Sequence, residues 1–446
     1  MTWNSMRPWL GTVIRLVLGV LWLWSGWSKL HDPRVFVQTV RAYDATPEWL
    51  SKAVGYGLPV LEICLGLLLI VGVAVRIAAI VSAALFFVFL VGLVQAAARD
   101  ISLQCGCFSG GGLTTGPTHY ILDILRDIGM LVLSGYLIMW SMTRVSIEEF
   151  LGRNDYVEPP SPKRMRTEGG LRKYNAMLAA RHKEARDRAL YLNGSLTIVV
   201  VLVTIIGIGV QGGRAKIKGA LTATNATATN GVTYGKKAAA TVDIFEDFMC
   251  PACARFEQSA GTSLEADVKA NKAQVRYHTI AILDSLSSGT KYSTRAANAA
   301  VCASDVSPDA FVKFHDLLFQ ADIQPKENSS GLGDGRFTQL AQQSGLATAA
   351  SATFTACLQN ETHKALVQAL TENASKRKVT GTPTVMVNGK TLKTNDLATL
   401  NAAIAAADAK GPPPAPSPTP TPTPSGSNSA TPTKAASPSG TATTKG

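Results

Sequence analysis

The chain has 446 residues, with 43 Lys and Arg against 31 Asp and Glu for a net charge of +12, and 46% of its residues are hydrophobic. This length leaves room for about three domains. The apolar residues gather in long runs, which excludes a secreted globular protein, and the sequence carries no phosphate-binding glycine loop, nucleic-acid motif or histidine-rich metal cluster.

Four apolar runs fill the first third, over residues 9–27, 55–75, 77–97 and 120–142. Each is close to the ~20 residues that cross a bilayer. The first has no small-residue cleavage site before Lys29-Leu30-His31, so it reads as a span and not as a signal peptide. Arg15 is placed to snorkel at the cytoplasmic end, and Trp22, Trp24 and Trp27 read as interfacial anchors. Glu62 lies near the outer end of the second span. Cys64, two residues on, reads as a small buried hydrophobe, with a relay role left open. The loop after the third span contains Cys105-Gly106-Cys107-Phe108-Ser109-Gly110. Early in the fourth, Asp123, Arg126 and Asp127 share one helix face. Ionisable groups are costly in a span, so these three and Glu62 are candidates for proton handling or a quinone pocket, against the plainer reading of a salt-bridged helix end.

Residues 143–192 carry eleven Lys and Arg, which marks them as a cytoplasmic connector and suits anionic lipid headgroups. A fifth apolar run over 190–210 then recrosses the membrane. The Cys-x-Cys loop and everything after the fifth span are separated by two crossings. They therefore face the same compartment, the extracytoplasmic one by the charge rule.

The first four spans resemble the MauE/DoxX family of redox-associated membrane proteins. The resemblance covers residues 8–145 and rests on Ser25-Gly26-Trp27-Ser28-Lys29-Leu30, Leu58-Pro59-Val60-Leu61-Glu62, the Cys-Gly-Cys-Phe loop and Arg126-Asp127. Ser109 stands where the family usually has Gly. A Cys-x-Cys disulfide closes a small ring and should be oxidising, which makes Cys105/Cys107 a redox relay, with a metal-binding dithiol or an inert staple as alternatives. His119 is the one histidine near this loop.

Residues 219–239, rich in Ala, Thr, Asn and Gly, read as a flexible tether. The strand-like run over 240–245 then leads to Cys250-Pro251-Ala252-Cys253, which opens a helical pattern over 254–269. A cysteine at a helix N-terminus is held near unpaired N–H groups and the positive dipole end, which favour the thiolate. Cys250 is therefore the nucleophile candidate and Cys253 the resolving thiol. Further on, Val379-Thr380-Gly381-Thr382-Pro383-Thr384 enters a strand that ends in an Asn-Gly hairpin, and a proline there suits a cis bond.

With the Phe248-Met249-Cys-Pro-Ala-Cys motif and the Thr-Pro-Thr loop in this order, residues 240–408 resemble a DsbA-like member of the thioredoxin superfamily. The resemblance implies a thioredoxin fold with a helical insertion, consistent with the Ala-rich helical spacing over 293–374. It also implies that Thr382 and Pro383 contact substrate, beside Pro251 and Ala252. Cys302 and Cys357 read as a structural disulfide in an oxidising compartment, or as two buried cysteines. After Lys410 a Pro/Ser/Thr-rich tail reads as a disordered, polyproline-like extension.

The expected architecture is a membrane α-helical bundle of four spans plus a fifth tethering span, followed by an α/β thioredoxin fold. Its expected parts are 1–145, a MauE/DoxX-like membrane domain; 146–189, the connector; 190–211, the fifth span; 212–239, the linker; 240–408, the DsbA-like domain; and 409–446, the tail. The expected function is formation of disulfides in reduced or misoxidised extracytoplasmic proteins, with Cys250/Cys253 reoxidised through Cys105/Cys107. No metal and no tightly bound cofactor are expected, with a quinone as the candidate acceptor. Two other readings stay open: a reductase or isomerase for cytochrome or amine-dehydrogenase maturation, and a non-catalytic membrane-tethered chaperone.

Overall fold

The computed structural model describes residues 3–30, 32–99, 120–140, 168–346 and 348–411. Cys105, Cys107, His119, the first part of the connector and the tail after Gly411 lie outside the described residues.

The membrane half contains α1 (Trp3–Leu30), α2 (Pro33–Ala42), α3 (Glu48–Val71), α4 (Val75–Ala98), α5 (Tyr120–Met139) and α6 (Glu168–Arg214). Among the described residues, four stretches are long and apolar enough to cross a membrane: Met6–Leu30, Glu48–Val71, Val75–Ala98 and Gly194–Arg214. The remaining expected span, α5, is a helix packed on α4, but it carries Asp123, Arg126 and Asp127 near its start and is outside that set. The 47-residue α6 runs unbroken from the basic connector through the fifth span, so these two expected parts are one element.

Small residues let α1 and α3 approach closely. A Cβ on Gly66 would meet the Gly19 carbonyl oxygen at 2.8 Å, and one on Gly26 would meet the Pro59 carbonyl oxygen at 2.6 Å. Trp22 is fully buried, stacked on Phe86 at 4.7 Å, with its indole N–H donating to Ser82 Oγ at 2.9 Å. It is a core residue and not the expected interfacial anchor. Trp24 and Trp27 are exposed on the outside of the bundle. Arg15 is buried as well, and does not snorkel into the open.

The second half is a six-stranded sheet in the order β1 (Ala226–Thr227), β2 (Gly231–Tyr234), β4 (Ala273–Thr279), β3 (Ala240–Glu246), β5 (Thr384–Val387), β6 (Lys390–Thr391). Strands β3 and β4 are parallel and joined by α7 (Pro251–Lys269); the other pairs are antiparallel. The expected linker over 212–239 is thus corrected: its second half supplies β1 and β2, because Val232-Thr233-Tyr234 has strand-forming residues that pair with Val275–Tyr277. Eleven residues, 215–225, separate α6 from the sheet.

Between β4 and β5 lie α8 (Tyr292–Val306), α9 (Pro308–Leu318), α10 (Asp334–Gln343), α11 (Thr348–Gln359) and α12 (Lys364–Lys376), and α13 (Leu397–Asp408) closes the domain. Phe311, Phe314, Leu318, Phe337 and Phe354 fill the insertion's core. Cys302 on α8 and Cys357 on α11 are joined by a disulfide that closes a 55-residue separation.

Candidate active site

Strand β3 ends at Glu246, and the chain turns over Asp247–Met249 into α7. Asp247 holds this turn: Oδ1 accepts from the Met249 N–H and Oδ2 from the Leu283 N–H, both at 2.9 Å, and its carbonyl accepts from the Cys250 N–H. From the insertion, the Gln324 amide donates to the carbonyls of Phe248 and Cys250 at 3.2 and 3.0 Å. The turn is clamped from both sides. Cys250 takes the N-cap position of α7 with extended backbone, and Pro251, which has no N–H to satisfy, takes the first turn. Buried Cys253, Phe256, Ala260 and Leu264 are spaced three to four apart, which fixes α7 on the sheet and turns Cys253 inward.

Both active-site cysteines are free thiols and fully buried, while Pro251 and Ala252 are half-buried at the surface. The Cys250 thiol donates to the Thr382 carbonyl at 3.3 Å, across 132 residues of sequence. The Thr382–Pro383 bond is cis, and the Pro383 carbonyl accepts from the Asn395 amide at 2.6 Å. The structure therefore brings Cys250, Cys253, Thr382 and Pro383 into one site.

The two thiols are driven apart in acidity. Hydrogen bonding from the Cys253 thiol is the largest influence on Cys250; with help from the Cys253 and Ala252 N–H groups it overcomes burial and brings Cys250 down to about 7. Burial pushes Cys253 well above the ordinary thiol range, and the negative charge of Glu246 adds to this. One cysteine ionises at neutral pH and its neighbour stays protonated.

Beneath them lies a buried acid–base cluster that sequence reasoning missed. Glu246 at the end of β3 and His315 on α9 form an ion pair of 2.6 Å, both fully buried. Burial alone would lower the His315 pKa, but the Glu246 carboxylate and the Asp316 side chain hold it well above the usual value. Glu257 on α7 completes the cluster; its ligand-type oxygen lies within 4.8 Å of those of Glu246 and His315. Burial, reinforced by the charge of Glu246, keeps Glu257 protonated. The signal that could have found this cluster is the Glu246-Asp247 pair directly after Ile244-Phe245, just before the cysteine motif.

In the membrane half, Glu62 is fully buried and bound to Lys29 at 2.5 Å, with Ser25 Oγ donating to its second oxygen at 3.0 Å. Arg126 binds Asp123 at 2.8 Å and Asp127 at 3.0 Å. These four candidates occupy ion pairs of their own. Cys64 is a half-buried free thiol on α3.

Residues 7–140 match the family described as methylamine utilisation protein MauE, and residues 227–406 match thioredoxin. The MauE protein of Paracoccus denitrificans is 29% identical over 130 residues, covering 29% of this chain and 68% of that protein. The serine/threonine-protein kinase PknE of Mycobacterium tuberculosis (strain H37Rv) is 34% identical over 163 residues, 35% of this chain; the chain spans 28% of that kinase's length. Among solved structures, reduced DsbA from Mycobacterium tuberculosis is 30% identical and covered over 98% of its length by 41% of this chain, with a TM-score of 0.35. Reduced DsbG from the same organism is 30% identical, covered over 96% of its length by 44% of this chain, with a TM-score of 0.33. The chain thus joins a segment that matches the MauE family, residues 7–140, to a thioredoxin-like domain, residues 227–406.

Proposed function

We propose that this membrane protein forms disulfide bonds in extracytoplasmic proteins and that its own membrane half reoxidises it. The observation that carries the reading is the pair itself: an N-cap cysteine with a pKa of about 7, beside a buried cysteine held far higher, against the Thr382-Pro383 loop. In the oxidised enzyme a substrate thiolate attacks Cys250 Sγ, and the Cys250–Cys253 bond breaks. Cys253 leaves and takes up a proton, as its burial demands. A second substrate thiolate then attacks the substrate sulfur of the mixed disulfide. Cys250 departs as a thiolate that its surroundings already stabilise, which favours oxidation of the substrate. Thr382 and Pro383, next to Cys250, are assigned to the substrate backbone, with Pro251 and Ala252 at the rim.

The reduced pair must then lose two electrons and two protons. The proposed acceptor is a disulfide between Cys105 and Cys107, which is reduced to two thiols as Cys250–Cys253 re-forms. A membrane electron acceptor of the quinone class would reoxidise Cys105/Cys107 in turn. The basic residues of 143–192 support an extracytoplasmic position for the thioredoxin-like domain, and so does the Cys302–Cys357 disulfide in the same domain. The basic connector would then lie on anionic lipid.

The test is the redox state of Cys250 and Cys253 in cells, read by thiol-alkylation gel shift, in the native chain and in a Cys105→Ser/Cys107→Ser variant. The expected result is an oxidised pair in the native chain that accumulates reduced in the variant. A pair already reduced in the native chain would overturn the reading in favour of a reductase or isomerase.

A further inference from the structure

The membrane half touches the thioredoxin-like domain through α2 and the turn that follows it. Pro33, Phe36, Val37, Thr39 and Ala42 of α2 are buried. Ala42, together with Ala96 at the end of α4, joins the same apolar cluster as the core of the thioredoxin-like domain. Among the described residues, three charge pairs cross the boundary. Lys378 Nζ lies 2.8 Å from Asp44 Oδ2, Arg41 Nη2 lies 3.8 Å from Glu372 Oε1, and Lys291 Nζ lies 4.0 Å from Asp32 Oδ2.

On the thioredoxin-like side this contact adjoins the substrate loop in sequence. Lys378 is four residues before Thr382, whose carbonyl faces Cys250. Opposite it, the Tyr43 carbonyl accepts from Arg99 Nη1 at 2.8 Å, and Arg99 is the residue on which α4 ends. Cys250 is fully buried. The Asp44–Lys378 pair is solvent-exposed, Asp44 at 44% and Lys378 at 70%, and a pair of that kind holds weakly and is screened by salt. A contact that such pairs help to hold can open and close.

We infer that α2 with Asp44 is the docking face to which the thioredoxin-like domain returns for reoxidation. The inference rests on the relay proposed above and adds its recognition surface. The partner of this face is the C-terminal end of α12 with Lys378, matched to it by charge. Docking raises the local concentration of one redox pair at the other, beyond what the covalent connection alone supplies.

The experiment uses the full chain in native membranes. After a pulse of dithiothreitol and its removal, recovery of the oxidised Cys250–Cys253 pair is followed by alkylation. Asp44→Lys and Lys378→Asp are each expected to slow recovery several-fold, and the double variant Asp44→Lys/Lys378→Asp to regain most of the native rate. Native recovery rates in both single variants would overturn the docking inference while leaving the relay standing. A native rate in Cys105→Ser/Cys107→Ser would instead remove the relay itself. Should Asp44→Lys fail to accumulate, Asp44→Asn with amide hydrogen exchange across Lys364–Lys378 decides the matter: faster exchange than in the native chain supports docking, and unchanged exchange overturns it.

Discussion

The Cys250 thiol lies 3.3 Å from the carbonyl oxygen of Thr382, although 132 residues separate them. The carbonyl accepts the proton of a neutral thiol, while the Cys253 thiol donates to the thiolate, so both charge states of Cys250 are held in one position. The reduced enzyme should therefore react with iodoacetamide at a rate that rises with a midpoint near pH 7, against the ~8.5 of an ordinary thiol. Cys253→Ala removes the donor and should move the midpoint upward. A native midpoint above 8 would contradict this account.

The same depressed pKa sets a stability signature. A thiol whose folded pKa is lowered stabilises the reduced fold above the unfolded value, and that contribution fades as pH falls through about 7. Comparing melting of the reduced native chain with Cys250→Ser should show a difference that grows between pH 7 and pH 9.

Asp247 carries the opposite sign. Burial raises its carboxyl to about 7, so the folded chain keeps a proton that the unfolded chain loses near pH 4. This group's contribution is full below pH 4 and is lost as pH rises toward 7. Asp247→Asn should flatten that slope. It should also cost about 1–3 kcal/mol, because a single amide oxygen cannot accept from both Met249 and Leu283 and leaves one buried N–H unpaired. Melting of the two chains at pH 5 and pH 7 checks both statements.

Breaking the Glu246–His315 pair from one side strands a buried charge. His315→Leu should therefore destabilise the domain by about 3–5 kcal/mol, and His315→Leu/Glu246→Gln by clearly less. Urea denaturation of the reduced chain in detergent would show this, and equal losses in the two variants would count against a charged pair.

Removing the Cys302–Cys357 bond as Cys302→Ala/Cys357→Ala frees a loop of 55 residues in the unfolded chain and should cost about 2–4 kcal/mol. Alkylation of Cys250 near pH 7 should be unaffected, since the bond lies in the insertion and not at the nucleophile.

Much of the active site is legible in the sequence because its determinants are local. Cys250-Pro251-Ala252-Cys253 at a strand-to-helix junction and Thr382-Pro383 at a strand entrance can each be read within a dozen residues. Only the fold shows that they touch. The Glu246–His315 pair escapes such a reading because its partners are 69 residues apart and His315 fits an apolar helical stripe on α9. Strands β1 and β2 are missed for a related reason: they are short, their composition suits a loop, and pairing with β4 decides them. Trp22 is misjudged because a tryptophan in a span looks the same whether it faces lipid or Phe86. The docking role of α2 depends on charges at Glu372 and Lys378, more than 300 residues further along.

The ordering of β1 and β2 leaves eleven residues between the end of α6 and the sheet, a span of at most about 40 Å when fully extended. Freed from its face, the catalytic domain would sweep only a shallow dome above the bilayer. An enzyme held on so short a connection would not range far in search of clients. On the function proposed above, it would meet chains at the membrane surface, and the brevity of one connection would set how far from the bilayer a client's cysteines are joined.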